Sequence, residues 1–364
     1  MKIIHLIAAA RPNFMKIAPL YHALGRTDWA EPVIVHTGQH YDINMSDAFF
    51  TDFHLPDPHI HLGVGSGTHA EQTGRVMIAY EAVLMKTPPD LVVVVGDVNS
   101  TVAATLAAVK LGIPTAHLEA GLRSFDRTMP EEINRLATDA LADLLWTPSP
   151  DGDENLKREG IPPERIERVG NIMIDSLEML RDRIEADGGY REYGLAAGGY
   201  GLITLHRPSN VDDPEDLGRI CGILSDLTQK LPCVFPVHPR TRKNLEAFGL
   251  MAGLEALPGL RLLTPLSYIP FMNLVFHSRL LITDSGGVQE ETTYLGIPCL
   301  TLRPNTERPV TVIEGSNRLC TPAELKAHVE TILEHGWPKG RIPALWDGKT
   351  ADRVVASIRR YLNP

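Results

Sequence analysis

The sequence contains few cysteines and no long apolar segment. Its four cysteines (Cys221, Cys233, Cys299 and Cys320) form no C-x-x-C pair and all lie in the second half of the chain. We interpret them as reduced core or loop residues, not as a disulfide framework or a metal site. No window reaches the roughly 20 apolar residues that cross a bilayer. The first ten residues, MKIIHLIAAA, lack the length and the cleavage site of a signal peptide. We therefore expect a soluble, cytoplasmic protein without a membrane partner.

Positive charge is also scarce. The chain has 35 basic and 45 acidic residues and a net charge of -10 at pH 7, which argues against a broad surface for nucleic acid or acidic lipid. Neither half has G-x-G-x-x-G after its first apolar run, and the P-loop pattern and the H-E-x-x-H zinc motif are missing. We therefore expect no nucleic-acid partner, no metal and no cofactor such as a nicotinamide nucleotide or ATP.

What the chain does contain is a regular alternation of short apolar runs and amphipathic stretches. Several runs are continuous, as in strands that are buried on both faces of a parallel sheet. The predicted strands are residues 3–9, 32–36, 91–95, 114–118, 144–147 and 166–169, then 200–205, 233–237, 260–264, 280–283 and 298–302. Helical patterns include residues 100–111, 131–145 and 350–362. A glycine-rich segment, 187–201, separates the two series. The pattern predicts an α/β fold with two doubly wound, Rossmann-like domains.

Three carboxylates follow apolar runs, at the sheet edge where open parallel sheets bind ligands. Asp97 follows the run 91–95, Glu119 follows 114–118, and Glu131 opens the next helical pattern. Each has a structural alternative: a helix N-cap or a turn acid for Asp97, a pair with Arg123 for Glu119, and interaction with the helix dipole for Glu131. Their convergence on one edge indicates proton abstraction and return, which require acids with different pKa values.

Basic side chains cluster at the same strand ends. Arg11 and Lys16 follow the first run, although each is as consistent with an ordinary surface residue. His206 and His238 end two strands of the second series, and Arg308 follows its last predicted strand. On an acidic chain, this clustering predicts a small, strongly anionic ligand.

The stretch TDSGGVQEE, residues 283–291, predicts a strand that turns directly into a helix. The amides of Ser285, Gly286 and Gly287 would then lie at the positive end of the helix, where a phosphate group is favoured. Glu290 and Glu291 follow within about one and a half turns, beyond the strongest part of that positive end.

Taken in order, these motifs resemble those of the non-hydrolysing UDP-N-acetylglucosamine 2-epimerases. The matching stretches, spread from about residue 8 to residue 310, are ARPNFMKIAPL, HTGQHYD, VVGDVNST, HLEAGLRS, MPEEINR, VGN, TLHR, TDSGGVQEE, GIP and NTERP. Each is weak alone, whereas the ordered set is specific. The resemblance implies a glycosyltransferase-B-like fold with a deep interdomain cleft, and a homodimer. Its expected domains are residues 1–172, joined by a C-terminal helix at 352–364, and residues 173–351.

The resemblance also implies the chemistry. A base removes the C2 proton of UDP-GlcNAc while UDP leaves from C1, and the glycal intermediate is reprotonated on the opposite face to give UDP-ManNAc. No cofactor is required, and the expected role is precursor supply for bacterial surface polysaccharides. By resemblance, Asp97, Glu119 and Glu131 are the acids and bases, in an order that is left open. The other implied roles are diphosphate binding by Arg11, Lys16, His206 and Arg308, orientation of the sugar or a nearby carboxylate by Arg135, packing near uracil by Phe271, and binding of the ribose hydroxyls by Glu291.

The motifs leave the substrate and the outcome of the reaction open. In many bacterial members the segment after the second strand helps to form a second, allosteric sugar-nucleotide site. Here that segment reads GQHYDINMS (38–46), and its surroundings are more similar to a subgroup that includes epimerases of UDP-2,3-diacetamido-2,3-dideoxyglucuronate. The motifs are also compatible with a hydrolysing epimerase that releases UDP and ManNAc, with an acceptor-dependent glycosyltransferase, and with a nucleotide-sugar sensor without catalysis.

Overall fold

The computed structural model describes residues 1–9, 11–38 and 50–363, apart from the side chain of Arg11. Most of the segment 38–46, which the sequence connects with an allosteric site, lies outside the described residues. The chain divides into two compact units. Unit 1 comprises Met1–Leu180 together with Ala344–Pro364, and unit 2 comprises Arg181–Pro343. The division falls within a helix, and the glycine-rich segment 187–201 belongs to unit 2. The domain boundaries at residues 172 and 351 stay a prediction.

The secondary structure alternates between strands and helices along both units. The strands are β1 (Lys2–Ala8), β2 (Ala30–His36), β3 (Ile60–His61), β4 (Leu91–Val95), β5 (Thr115–Leu118), β6 (Leu144–Thr147), β7 (Ile166–Arg168), β8 (Gly201–Thr204), β9 (Cys233–Pro236), β10 (Leu260–Leu263), β11 (Leu280–Thr283), β12 (Cys299–Thr301) and β13 (Asn317–Leu319). The α-helices are α1 (Arg11–Gly25), α2 (His69–Lys86), α3 (Asn99–Lys110), α4 (Pro130–Leu141), α5 (Pro150–Arg158), α6 (Ile172–Asp187), α7 (Gly189–Glu192), α8 (Pro208–Val211), α9 (Pro214–Thr228), α10 (Pro239–Ala247), α11 (Met251–Glu255), α12 (Tyr268–Phe276), α13 (Gly286–Leu295), α14 (Pro309–Ile313), α15 (Pro322–His335) and α16 (Thr350–Leu362).

Each unit is built on a parallel sheet. The described strands of unit 1 are ordered β3-β2-β1-β4-β5-β6-β7, and those of unit 2 are ordered β10-β9-β8-β11-β12-β13. In both sheets the chain order reverses beside the first strand, between β1 and β4 and between β8 and β11. Such switch points leave a crevice beyond the carboxyl ends of the strands, where doubly wound domains bind ligands.

The continuous apolar runs form the buried strands, as the sequence predicts. All five residues of β4, LVVVV, are buried, because helices cover both faces of a parallel sheet and branched side chains pack well there. The helix expected at 131–145 is shorter, since α4 ends at Leu141. Ala142 adopts an extended conformation, and Leu144 already pairs with Ala116 of β5. The short strands β3 and β13 were not predicted.

The C-terminal helix α16 packs against α1 in unit 1. The side chain of Asp175, in α6, accepts the N–H groups of Thr350 and Ala351 at 3.1 and 2.8 Å. These bonds satisfy two amides at the start of α16 that have no acceptor within the helix. In the described part of the chain, no helix combines the length and the apolar character needed to cross a membrane.

Candidate active site

In unit 1, Lys16 of α1 and Glu119, directly after β5, form a buried ion pair. Nζ of Lys16 donates to Oε2 of Glu119 at 2.5 Å, and both side chains are largely buried. The other carboxylate oxygen, Oε1, has no hydrogen-bond partner among the described residues. Arg123, the structural alternative as a partner of Glu119, instead forms ion pairs with Asp139 and Glu159 at 2.7 Å each. Glu119 is therefore held by a cation from another element and keeps one oxygen available.

Glu119 also has a strained backbone. Its φ angle is +74°, in the left-handed region that residues with a Cβ seldom adopt. The N–H groups of Glu119 and Ala120 both donate to the carbonyl of Trp146 in β6, at 3.1 and 3.0 Å. Strain of this kind costs about 1–3 kcal/mol and persists where neighbouring structure imposes it. Here the adjacent strand holds the turn at the point where the carboxylate meets Lys16.

Asp97, Arg135 and Glu132 form a chain of ion pairs beside this site. Nη1 of Arg135 lies 2.5 Å from Oδ2 of Asp97, and Nη2 lies 2.8 Å from Oε2 of Glu132. The Asp97 side chain is 33% exposed, whereas Arg135 and Glu132 are buried. The N-cap position of α3 is Val98, so the N-cap alternative for Asp97 is wrong. The arginine instead pairs with a carboxylate that solvent can reach.

Glu132 is a residue that the sequence interpretation left without a role. Its carboxylate accepts the N–H groups of Ser124 and Phe125 at 2.9 and 3.0 Å, in addition to Arg135. Burial acts to raise the pKa of Glu132, but these hydrogen bonds outweigh burial and lower the pKa. Glu131, its neighbour, is exposed in the first turn of α4. Local sequence could not separate the two glutamates, because both suit a helix N-terminus.

In unit 2, Asp284 is a buried carboxylate that directly follows β11 and binds groups at the end of β8. It accepts the N–H groups of His206 and Arg207 at 3.0 and 2.9 Å and Nδ2 of Asn210 at 3.0 Å. Nδ1 of His206 also lies 3.0 Å from its carboxylate. Burial acts to raise the pKa of Asp284, but the hydrogen bond and charge of His206 outweigh burial and lower the pKa. Asp284 thus holds His206, whose side chain is 37% exposed, in a fixed orientation.

His238 lies beside His206, with the ring centroids 5.4 Å apart. It occupies the N-cap position of α10, where its Nδ1 accepts the N–H of Arg240 at 3.2 Å. Burial, followed by the charge of His206, lowers the pKa of His238. His238 is therefore a neutral cap at neutral pH as well as a neighbour of the candidate anion site.

The Ser-Gly-Gly turn opens α13 and lies next to a guanidinium group. Ser285 takes the N-cap position, and its N–H donates to Oγ1 of Thr283 at 2.9 Å. Of the three amides predicted to bind phosphate, that of Ser285 therefore already has an acceptor within the protein. Nε of Arg308 lies 2.9 Å from Oε1 of Glu290. Nη1 of Arg308 lies 2.9 Å from the position that a Cβ on Gly286 would take. The guanidinium and the positive end of α13 are thus suited to one anion.

Glu291 is buried in α13 and accepts the O–H of Tyr268 at 2.8 Å. Burial raises its pKa to about 8, with the Tyr268 hydrogen bond opposing the rise and Glu290 adding to it. Phe271 lies one turn after Tyr268 in α12 and is partly buried. Tyr268 was missed, because nothing in its local pattern separates it from a core residue. The sequence did contain a signal for Asp284 as a site residue, because Asp284 stands between a predicted strand and the Ser-Gly-Gly turn.

Arg11 completes the set of basic residues that the sequence predicts at the strand ends. Its backbone begins α1, and its side chain lies outside the described residues. Within the described parts of the chain, no cluster of histidine, cysteine, aspartate or glutamate has the arrangement of a metal site.

The family profile "UDP-N-acetylglucosamine 2-epimerase" matches residues 22–359 of this chain. A UDP-N-acetylglucosamine 2-epimerase from Methanocaldococcus jannaschii is 41% identical over 361 residues, covering 96% of this chain and 97% of the relative. A UDP-2,3-diacetamido-2,3-dideoxy-D-glucuronate 2-epimerase from Pseudomonas aeruginosa is 42% identical over 323 residues, covering 88% of each. The crystal structure of the M. jannaschii UDP-GlcNAc 2-epimerase with UDP-GlcNAc and UDP superposes with a TM-score of 0.87 at 40% identity, covering 98% of this chain and 99% of that one. The fold is therefore glycosyltransferase-B-like, and the chain is an isomerase that belongs to the UDP-N-acetylglucosamine 2-epimerase family.

Proposed function

We propose that this protein catalyses the reversible inversion of UDP-GlcNAc at C2 to give UDP-ManNAc. The observation that carries the proposal is the pair of carboxylates at neighbouring strand ends of unit 1. Glu119 is held by Lys16 and Asp97 is held by Arg135, at 2.5 Å in each case. Acids in such different surroundings, one buried and one partly exposed, are suited to removing and returning a proton.

In the proposed reaction, a carboxylate takes the C2 proton and the electrons of the C2–H bond form a C1=C2 double bond. The C1–O bond breaks, and UDP leaves with its electron pair. Protonation of C2 on the opposite face and return of UDP to C1 complete the inversion. We assign the proton transfers to Asp97, Glu119 and Glu131 without ordering them. The C2 proton is only weakly acidic, so stabilisation of the departing UDP must supply much of the rate enhancement.

We assign that stabilisation to basic side chains and to the start of α13. Arg11, Lys16, His206 and Arg308 would neutralise the diphosphate, and His238 would bind beside it as a neutral ring. The amides of Gly286 and Gly287 would bind the same group, because they open a helix whose positive end favours an anion.

The nucleoside would bind to unit 2. We assign the ribose hydroxyls to Glu291, the uracil ring to Phe271, and orientation of the catalytic carboxylates to Arg135. Support for the Glu291 assignment comes from its place one turn beyond the Ser-Gly-Gly turn, since a nucleotide carries hydroxyl donors a few ångströms from its phosphates.

The decisive experiment is NMR of UDP-GlcNAc incubated with the protein in D₂O. The expected result is UDP-ManNAc with solvent deuterium at C2, and the absence of deuterium at C2 would exclude the mechanism. Asp97→Asn and Glu131→Gln should each lower turnover by a factor of about 100 or more while UDP binding stays nearly intact. Near-normal turnover in both variants would contradict the assignment.

A second substrate is also supported, because the P. aeruginosa relative that acts on the diacetamido uronate is 42% identical. The same assay with that nucleotide sugar separates the two substrates through kcat/KM. Release of UDP and free ManNAc would indicate a hydrolysing epimerase, dependence on an acceptor would indicate a glycosyltransferase, and binding without turnover would indicate a sensor.

We further propose that the protein works in the cytoplasm as a homodimer and supplies precursors for surface polysaccharides. The relatives named above come from an archaeon and a bacterium, so the proposal names no pathway. Light scattering at assay concentrations tests the oligomeric state, with a monomer mass as the contradicting result.

A further inference from the structure

His117 is a buried histidine whose two ring nitrogens both face oxygen acceptors. It lies in β5 with a fully buried side chain. Nε2 is 2.8 Å from the carbonyl oxygen of Gly96, and Nδ1 is 2.6 Å from Oδ1 of Asp139. A backbone carbonyl only accepts hydrogen bonds, so Nε2 must carry a proton.

Asp139, the acceptor that faces Nδ1, has two further partners. Oδ2 of Asp139 accepts the N–H of Gly121 at 3.0 Å and lies 2.7 Å from the guanidinium of Arg123. Burial acts to raise the pKa of Asp139, but the charges of His117 and Arg123 outweigh burial and lower the pKa. Asp139 is therefore the acceptor that joins His117 to Gly121 and Arg123.

The His117 ring connects the two turns that carry the candidate acids. Gly96, whose carbonyl it binds, directly precedes Asp97, and its φ is +67°. Gly121, which Asp139 binds, follows Glu119 by two residues, and its φ is +79°. A single network of three hydrogen bonds, Gly96–His117–Asp139–Gly121, therefore ties the end of β4 to the end of β5.

Both turns are closely packed against neighbouring groups. A Cβ on Gly96 would lie 3.0 Å from Nζ of Lys16 and 3.8 Å from Oε2 of Glu119. A Cβ on Gly121 would lie 2.4 Å from the carbonyl oxygen of Gly152. The network thus lies next to the Lys16–Glu119 pair, in a region where both turns are closely packed.

We propose that His117 is a positioning residue that sets the separation and orientation of Asp97 and Glu119 for proton transfer at C2. The proposal rests on the proposed function. His117 does not itself react, because its ring is fully buried and both ring nitrogens face protein acceptors. A buried ion pair adds little to stability over a well-packed apolar pair of the same volume. The presence of the His117–Asp139 pair is better explained by a need for fixed geometry. A displacement of a catalytic group by about 1 Å can cost about 100-fold in rate.

The test compares His117→Phe with His5→Phe. Phenylalanine keeps the ring volume and removes both hydrogen bonds. His5 is a matched control, because it is a buried histidine in β1 of the same sheet and its ring contacts Tyr80, at 3.0 Å, and neither turn. In C2 deuterium exchange we expect kcat to fall about 100-fold in H117F, with KM and UDP affinity nearly unchanged. We expect kcat in H5F to stay near that of the unsubstituted protein.

Asp139 supplies the conservative variant. In Asp139→Asn, the amide Nδ2–H can donate to Nδ1 of a neutral His117, while Nε2–H still donates to Gly96 and the amide oxygen still accepts from Gly121. The hydrogen bonds of the network are then retained without the negative charge of Asp139. We expect kcat within about three-fold of that of the original protein. Asp139→Leu has no such bonds and is expected to resemble H117F. Equal losses in D139N and D139L would contradict a positioning role.

NMR of the ¹⁵N-labelled histidine rings gives a readout besides activity. We expect the His117 signal, assigned by its loss in H117F, to show a proton on Nε2, which the hydrogen bond to the Gly96 carbonyl requires. An unprotonated Nε2, or unchanged kcat in H117F, would overturn the proposal. If H117F does not fold, His117→Gln, which can donate to only one of the two acceptors, should lose at least about ten-fold in kcat, and an unchanged kcat would overturn the proposal equally. Absence of exchange by the unsubstituted protein would instead refute the proposed function and leave the ring spectrum interpretable.

Discussion

Glu291 should release a proton when UDP binds. Its pKa is raised to about 8 by burial, against the opposing hydrogen bond from Tyr268. A carboxylate can accept from both ribose hydroxyls, whereas a protonated carboxyl group uses one oxygen as a donor. At pH 7 a group with a pKa of about 8 is about 90% protonated. Binding through the carboxylate should therefore release about 0.9 proton per UDP.

Proton release makes UDP affinity depend on pH. Protonation of Glu291 should weaken UDP binding by a factor of about 11 at pH 7 and about 1.1 at pH 9. UDP affinity should therefore rise about ten-fold, or about 1.4 kcal/mol, from pH 7 to pH 9. The unfolding free energy of the free protein should change with pH in the opposite direction to UDP affinity. The folded pKa lies above the usual value of 4.5, so the folded state binds more protons than the unfolded state between about pH 4.5 and 8. The unfolding free energy should fall as pH rises through that window.

The assay is isothermal titration calorimetry of UDP at pH 7 in two buffers that differ in ionisation enthalpy. Glu291→Gln is the control, because subtracting its proton count removes contributions from the phosphates and from His206. Tyr268→Phe removes the hydrogen bond that opposes the rise of the pKa, so release should approach one proton and affinity at pH 7 should fall. Equal proton counts for the original protein and E291Q would refute the ribose-binding role of Glu291.

Three further perturbations test other parts of the structure. A methyl group on Gly286 would lie 2.9 Å from Nη1 of Arg308, so Gly286→Ala should displace the guanidinium and weaken UDP binding about ten-fold in calorimetry. Gly287→Ala, where no described atom lies within 4 Å, is the matched control, and equal losses would show that the methyl group and not the arginine is responsible. Glu132→Gln cannot accept from Ser124 and Arg135 with the same strength, so kcat should fall about ten-fold with little change in KM; an effect confined to KM would contradict this. Asp175→Ala removes two hydrogen bonds at the start of α16, and urea denaturation should show a loss of about 2 kcal/mol in unfolding free energy, whereas an unchanged midpoint would show that the cap is dispensable.

The strands and the positions of the candidate acids could be predicted because both depend on local sequence. A run such as LVVVV is suited to a strand buried on both faces wherever it occurs. A polar residue directly after such a run lies at the carboxyl edge of the sheet, which is why Asp97 and Glu119 could be located by position alone. Asp284 stands in the same kind of position but was not singled out. The end of α4 was less predictable, since pairing of Leu144 with β5 competes with continued helix and depends on another element.

The partners of those acids were decided by the tertiary structure. Lys16 reaches Glu119 across 103 residues and Arg135 reaches Asp97 across 38, whereas the sequence offered the nearer Arg123 and a helix cap. Tyr268 similarly meets Glu291 only because α12 and α13 pack together. The sequence alone thus determined where strands end and which chemical groups stand there. Which groups meet, and how burial changes their pKa values, depended on the packing of distant elements, because a hydrogen bond forms within about 3 Å and local sequence does not specify that approach.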